Sequence, residues 1–118
     1  MFVAFLHVLS FSLVIGGAGG SRIPTGMMFT MIKYLFMNET LKESINTRRL
    51  HHQLTPMNLL YETNFDMNIV NELRNKYGHN MTENRPDGGF AAVVGIAKKN
   101  GQIEGVTDPR RGGGVEIF

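Results

Sequence analysis

An apolar run, Phe11-Ser12-Leu13-Val14-Ile15, passes directly into Gly16-Gly17-Ala18-Gly19-Gly20-Ser21-Arg22-Ile23, and Pro24 follows. That order restricts what the chain can become. Aromatic and β-branched residues running into glycine read as a strand. Proline suits a first helical position, where its fixed φ fits and its missing N–H is no loss. The glycines between strand and helix leave backbone N–H groups uncovered, so an oxygen bearing negative charge can approach them. For a bare glycine cluster the ordinary reading is a tight strand-to-helix turn. A second glycine-rich passage, Asp108-Pro109-Arg110-Arg111-Gly112-Gly113-Gly114, lies near the other end.

The balance of residues bounds the possibilities. The chain has 118 residues, one domain's worth, with 42% hydrophobic and 19% charged residues, so it can build a packed core. Net charge is only +2, and the basic clusters (Arg48-Arg49, Lys98-Lys99, Arg110-Arg111) never exceed a pair. That excludes a nucleic-acid footprint. Cysteine is absent, which rules out disulfides, thiolate nucleophiles and Cys-ligated zinc, and leaves the redox compartment open. Asn38-Glu39-Thr40 and Asn80-Met81-Thr82 fit the N-glycosylation acceptor pattern at Asn38 and Asn80.

The stretch Met1–Ile15 is almost wholly apolar. It falls short of the ~20 residues that span a bilayer as a helix. Its length suits the core of a secretory signal, with Ala18 and its neighbours as a cleavage region, yet no Lys or Arg precedes it. A strand accounts for Phe11–Ile15, and residues 1–10 are left unassigned.

From Thr25 to Met37 the chain is apolar nearly all round, so this helix calls for cover on most sides. Thr40-Leu41-Lys42-Glu43 matches a capping box and opens a short helix with Leu41, Ser44 and Ile45 inward. Arg48 to Met57 reads as an irregular connection and Leu59–Glu62 as a strand. A third helix follows, capped by Asn64 or Asp66, with Met67, Val70, Leu73 and Tyr77 on one face and Gly78 as its stop. Residues 84–89 form a turn-rich loop. Phe90–Lys98 is a strand, and Asn100-Gly101 places a tight hairpin turn before the partner strand Ile103–Thr107. The expected order is β-α-α-β-α-β-β in an α+β fold.

Local chemistry is sparse. The glycines miss the spacing of the dinucleotide fingerprint, and no Lys-Ser/Thr pair follows as in a phosphate-binding loop. His51 and His52 are adjacent, so their rings diverge and make a poor metal pair; ordinary hydrogen bonds in a loop are expected. Neither Ser21, Ser44 nor the threonines have a local base, so no nucleophile is assigned. The Arg110-Arg111 pair is a candidate for anion binding, with a solvated surface pair the expectation. No metal and no cofactor is implied.

Three blocks carry a family resemblance. Gly16-Gly17-Ala18-Gly19-Gly20-Ser21-Arg22-Ile23, Arg49-Leu50-His51-His52-Gln53-Leu54 and Asp108-Pro109-Arg110-Arg111 come in the order and spacing of γ-glutamyltranspeptidases, also called glutathione hydrolases. Over residues 11–118 the chain resembles the C-terminal part of that family's small subunit. The resemblance implies a partial N-terminal-nucleophile hydrolase αββα sandwich. It implies a parent enzyme at the extracellular face of the plasma membrane that cleaves the γ-glutamyl bond of glutathione. Such an enzyme transfers the γ-glutamyl group to water, amino acids or peptides. The loop matching Gly19 and Gly20 would supply two backbone N–H groups to the oxyanion of the tetrahedral intermediate.

The same resemblance marks what is absent. The family's nucleophilic threonine, paired serines and acidic substrate ligand match nothing in this chain, and a carboxylate-binding arginine belongs to the large subunit. The chain is therefore expected to be inert alone, with the remainder of the small subunit and the large subunit as partners. Thr47-Arg48-Arg49 also departs from an acidic-proline-arginine pattern. Residues 1–10 do not resemble the family's upstream stretch, which fits a truncated gene model, an alternative start or a pseudogene-like product. The alternative reading is a stand-alone, non-catalytic secreted or binding protein that kept the scaffold.

Overall fold

The computed structural model of the chain describes residues 1–8, 11–84 and 89–116. A four-stranded antiparallel sheet runs in the order β1 (Phe2–Val8), β2 (Phe11–Ala18), β6 (Ala92–Lys99) and β7 (Gln102–Val106). Leu13, Ile15, Val93 and Ala97 share one face of it and meet helices α1 (Ile23–Phe36) and α2 (Leu41–Asn46) through Ile23, Met27, Leu41 and Ile45. The helices lie close because the facing strand positions carry no side chain. A Cβ on Gly17 would stand 2.9 Å from Ile23 Cγ2, and one on Gly95 3.2 Å from Leu41 Cδ1.

The second sheet is smaller. It joins β3 (Leu50–His51), β4 (Leu59–Glu62) and β5 (Met81–Asn84), with β3 antiparallel and β5 parallel to β4. Parallel neighbours need a crossover, and α3 (Met67–Asn75) supplies it, burying Val70 against Leu59, Tyr61, Phe65 and Met81. Phe29 of α1 packs on this second cluster, so α1 bridges the two cores.

The α+β class stands, and several local signals act as read. Thr40 accepts from the Glu43 amide while the Glu43 carboxylate accepts from the Thr40 amide, closing the capping box. Asp66, of the two candidates, caps α3. Asn100 and Gly101 both have positive φ (52° and 79°) in the β6–β7 turn, as a tight hairpin of mirror-image type requires.

Three strands escape the expected order. Phe2–Val8 of the unassigned stretch pairs along β2, an apolar run that satisfies its backbone as a sheet edge. Leu50-His51, read as irregular, pairs with Tyr61 and Leu60. Met81–Asn84 forms β5, so the expected loop begins one residue late, and its residues 85–88 lie outside the described residues. The third helix stops at Asn75, and Met67 and Tyr77 are exposed instead of facing inward. Helix α1 buries one side only: Met28, Ile32 and Phe36 are exposed.

The sheet face turned from the helices is apolar and open. Strand register puts Val3, Phe5, Val14, Val94, Ile96 and Ile103 on it, all exposed. Contiguous apolar surface of this kind marks a contact or an aggregation site. Replacing Val94 and Ile96 by threonine is expected to lower light scattering and dye binding while leaving the thermal midpoint within a degree or two, since threonine keeps the strand preference. Separately, Thr40→Ala should cost about 1 kcal/mol in denaturant unfolding through loss of the α2 cap.

Candidate functional site: a glycine bend braced by buried charge

The bend between β2 and α1 is a 3₁₀ turn, Gly20–Arg22, entered through Gly19. Gly19 has φ 142° and Gly20 φ 65°, both outside the range of ordinary side-chain-bearing residues. At Gly19 space is also closed, because a Cβ there would stand 2.6 Å from Ala91 Cα. Nothing lies within 4 Å of the corresponding point on Gly20. Among the described residues, no backbone carbonyl outside the regular elements accepts from the Gly19 or Gly20 amide. The bend lies at the surface, with Gly19 half-buried and Gly20 exposed.

The bend rests on residues 89–91, and a network of buried charge fixes that segment. Arg49 has no exposed surface; its guanidinium donates to the Ala91 carbonyl, to Ile45 O at 2.8 Å and to Asp108 Oδ2 at 2.9 Å. Asp108 also accepts from the Val93 amide at 2.8 Å and from the Arg110 amide at 3.0 Å. Arg110 forks onto Glu62 through Nε (2.7 Å) and an Nη (2.6 Å), the bidentate geometry that makes such pairs strong. Its two terminal nitrogens reach Ile45 O and Thr47 O as well. Arg22 donates to the Gly89 carbonyl and lies over the Phe90 ring, 5.6 Å from its centroid.

This corrects one expectation. Arg110 is not half of a solvated surface pair; only Arg111 is exposed. Adjacent residues here have opposite fates because Asp108 and Glu62 take the first and leave the second outside. The charge states follow from the same geometry. Burial by itself would raise the Asp108 carboxyl, but the Arg110 and Val93 amides and the Arg49 charge outweigh it and hold it below its usual value. Burial, with Arg110 nearby, pushes Arg49 down against the opposing pull of Asp108. Arg110 is raised: its burial is overcome by Glu62 and Asp108.

Comparison with known proteins bears on this arrangement. The family model described as gamma-glutamyltranspeptidase matches residues 4–118. The chain belongs to the γ-glutamyltranspeptidase family. Among relatives, scoloptoxin SSD20 of Scolopendra dehaani is 38% identical over 108 residues, covering 90% of this chain and 53% of that protein. Glutathione hydrolase proenzyme 2 of Schizosaccharomyces pombe is 29% identical over 109 residues, 92% of this chain and 18% of the proenzyme. The transpeptidase CapD of Bacillus anthracis superposes with a TM-score of 0.83 at 26% identity, covering 100% of this chain and 70% of that one. The chain thus spans about half of one such relative and under a fifth of the proenzyme. The fold is that of γ-glutamyltranspeptidases, N-terminal-nucleophile hydrolases.

Other family-motif residues gather beside the bend. His51 is buried on β3 and lies 2.7 Å from Thr25 Oγ1 and 3.0 Å from Gln53 Oε1, while Ser21 Oγ donates to the same Gln53 oxygen. His52 does something different, accepting from the Leu54 amide at 3.0 Å. Sequence reasoning gave His51 no role beyond an ordinary loop hydrogen bond, and it gave Gln53 and Thr25 none. Gln53's place in the family block was the available signal. Asn38 and Asn80 are exposed and distant from this cluster in the chain. Among the described residues no group of three or more His, Cys, Asp or Glu side chains is placed to hold a metal.

The lowered Asp108 value fixes the sign of an acid response. Folded Asp108 binds protons less readily than it does unfolded, so its contribution is fully present above about pH 4 and is lost as pH falls further. Asp108→Asn should remove that part of the acid-unfolding slope. It should also cost about 3–5 kcal/mol at neutral pH, because Arg49 stays buried without its counter-charge. Denaturant titrations of both proteins between pH 3 and about 7 provide the check.

Proposed function

We propose that this chain supplies the oxyanion-stabilising part of a γ-glutamyl-transferring site, with Gly19 and Gly20 as the backbone donors. The attacking hydroxyl comes from polypeptide outside this chain. In the reaction a threonine hydroxyl adds to the γ-glutamyl carbonyl of glutathione or a similar compound, and the carbonyl oxygen takes up negative charge. Collapse expels the amine and leaves an acyl-enzyme, which water, an amino acid or a peptide then cleaves. N–H groups already aimed at that oxygen lower the barrier without reorganising, and one such donor is worth ~10²–10³ in rate.

The observation that carries this reading is the bend itself. Gly19 holds a φ of 142° with Ala91 Cα against the place where a side chain would begin, and among the described residues no backbone carbonyl outside the regular elements takes its amide or that of Gly20. Amides at the start of a helix have no intrahelical partner, and glycine at both positions leaves these two open to an approaching anionic oxygen. The partners on this reading are the rest of the small subunit and the large subunit. The place of action is the extracellular face of the plasma membrane, where the exposed Asn38 and Asn80 are glycosylation acceptors.

The test joins residues 11–118 to the upstream small-subunit segment and large subunit of a family enzyme, and follows chromogen release from a γ-glutamyl anilide. The chimera is expected to turn over, and the free chain is not. Gly19→Ala should lower kcat by ~10²-fold or more, because the new methyl must displace Ala91 and with it the donor. Gly20→Ala meets no neighbour and pays only the left-handed backbone strain of about 1–2 kcal/mol, so it should fall far less. Full activity in the Gly19 variant, or turnover by the free chain, rejects the assignment.

A further inference from the structure

The bend has a second brace, made by side chains of β3 and the turn after it. Gln53 Nε2 donates to Thr55 O at 3.0 Å, which turns its Oε1 toward the bend. That oxygen receives the Ser21 hydroxyl at 3.0 Å across a sequence separation of 32 residues, and it lies 3.0 Å from His51 Nε2. An amide oxygen only accepts, so His51 carries its proton on Nε2. Nδ1 lies 2.7 Å from Thr25 Oγ1. The Thr25 hydroxyl donates to the Arg22 carbonyl at 3.1 Å.

We infer that His51 and Gln53 are positioning residues for the Gly19–Gly20 bend, clasping Ser21 and the first turn of α1 so that the two glycine amides keep one direction. The clasp has the parts such a role requires. His51 is only 3% exposed, so its ring cannot drift. The turn that presents Gln53 is fixed on both sides, by the Leu54 amide on His52 Nδ1 and by the Gln53 amide on Thr55 O. Glycines at 19 and 20 gain freedom from lacking side chains, and freedom of that kind works against a fixed pair of donors. Ala91 closes the side-chain position of Gly19, whereas the corresponding position of Gly20 is open. The Ile23 amide holds the Gly20 carbonyl from the helix side, and Gln53 holds its chain neighbour Ser21. The catalytic meaning of the clasp rests on the oxyanion reading, but its mechanical action does not.

Amide ¹⁵N relaxation on the whole chain tests it. In the parent, Gly19 and Gly20 should have order parameters near the rigid-backbone value of about 0.85, falling below about 0.6 in Gln53→Ala. Leu13, Ile15 and Val93 should keep theirs. Gln53→Glu keeps an acceptor for Ser21 and His51 but loses the donor to Thr55 O, so it should restore the glycine order only in part. Long-range ¹H–¹⁵N spectra should find the His51 proton on Nε2. Unchanged glycine order in Gln53→Ala, a loss of order spread equally over β2 and β6, or a proton on Nδ1 alone overturns the inference. If Gln53→Ala does not fold, Ser21→Ala, an exposed position, must still loosen Gly20, and a rigid Gly20 there rejects the clasp. A rigid bend in a chimera without turnover sinks the oxyanion reading alone. Turnover with a bend indifferent to Gln53 sinks the clasp alone.

Discussion

Arg49 and Asp108 meet at 2.9 Å with essentially no access to water. Taking two charges out of solvent costs more than their attraction returns unless the remaining donors and acceptors are also engaged. Here they nearly all are. Asp108 accepts from Arg49, Arg110 and the Val93 amide, and Arg49 gives to Ile45 and Ala91 carbonyls, leaving only Nε without a partner. Those satisfying groups come from the end of α2, the lead-in to β6 and the segment beyond β7. Through Arg110 and Glu62 the network extends to β4 of the second sheet. Neither sheet is large, and this cluster ties them together where apolar contact alone would be thin.

The consequence reaches the glycine bend through Ala91. Its carbonyl is held by Arg49 while its Cα stands against Gly19. A buried ion pair thereby sets the backbone conformation of a loop it does not touch. Because interiors are packed without slack, displacing Ala91 by a few tenths of an ångström is felt at Gly19 directly. Arg22, bound to the Gly89 carbonyl and laid over Phe90, repeats the attachment three residues further along the bend. The bend and the β6 lead-in form one unit, though the chain separates them by the whole of the second sheet.

Much of this architecture was legible from residue order, and the exceptions have physical causes. The capping box, the Asn100-Gly101 turn and the β2-to-α1 bend are local devices, determined by residues next to one another, and they appear where the sequence puts them. Strands β1, β3 and β5 exist because of partners elsewhere in the chain. Leu50-His51 has no strand pattern of its own and becomes one only beside Tyr61. The fate of Arg110 follows the same rule, since a basic pair reads as surface until Glu62 and Asp108 are brought to it. For the candidate site, the glycines announced themselves by type, whereas the roles of His51, Gln53 and Thr25 depend on contacts that only the folded chain makes.

The two supports of the bend differ in what they need from outside. The charge network must be complete to be tolerated at all, and its charged members lie within this chain. On the proposed reading, the bend it serves is the opposite kind of device, a pair of backbone dipoles with no net charge. Dipoles exposed to solvent lose little by waiting unpaired, because water can meet them until an anionic oxygen takes its place. An oxyanion donor set can therefore be assembled fully on one stretch of chain, without the nucleophile, at little cost in stability. A threonine nucleophile and its base could not be prepared so independently, because their function depends on a shared proton and hence on mutual contact. On that reading, the asymmetry explains how a stretch of chain can carry one half of such a chemistry while the other half comes from polypeptide outside it.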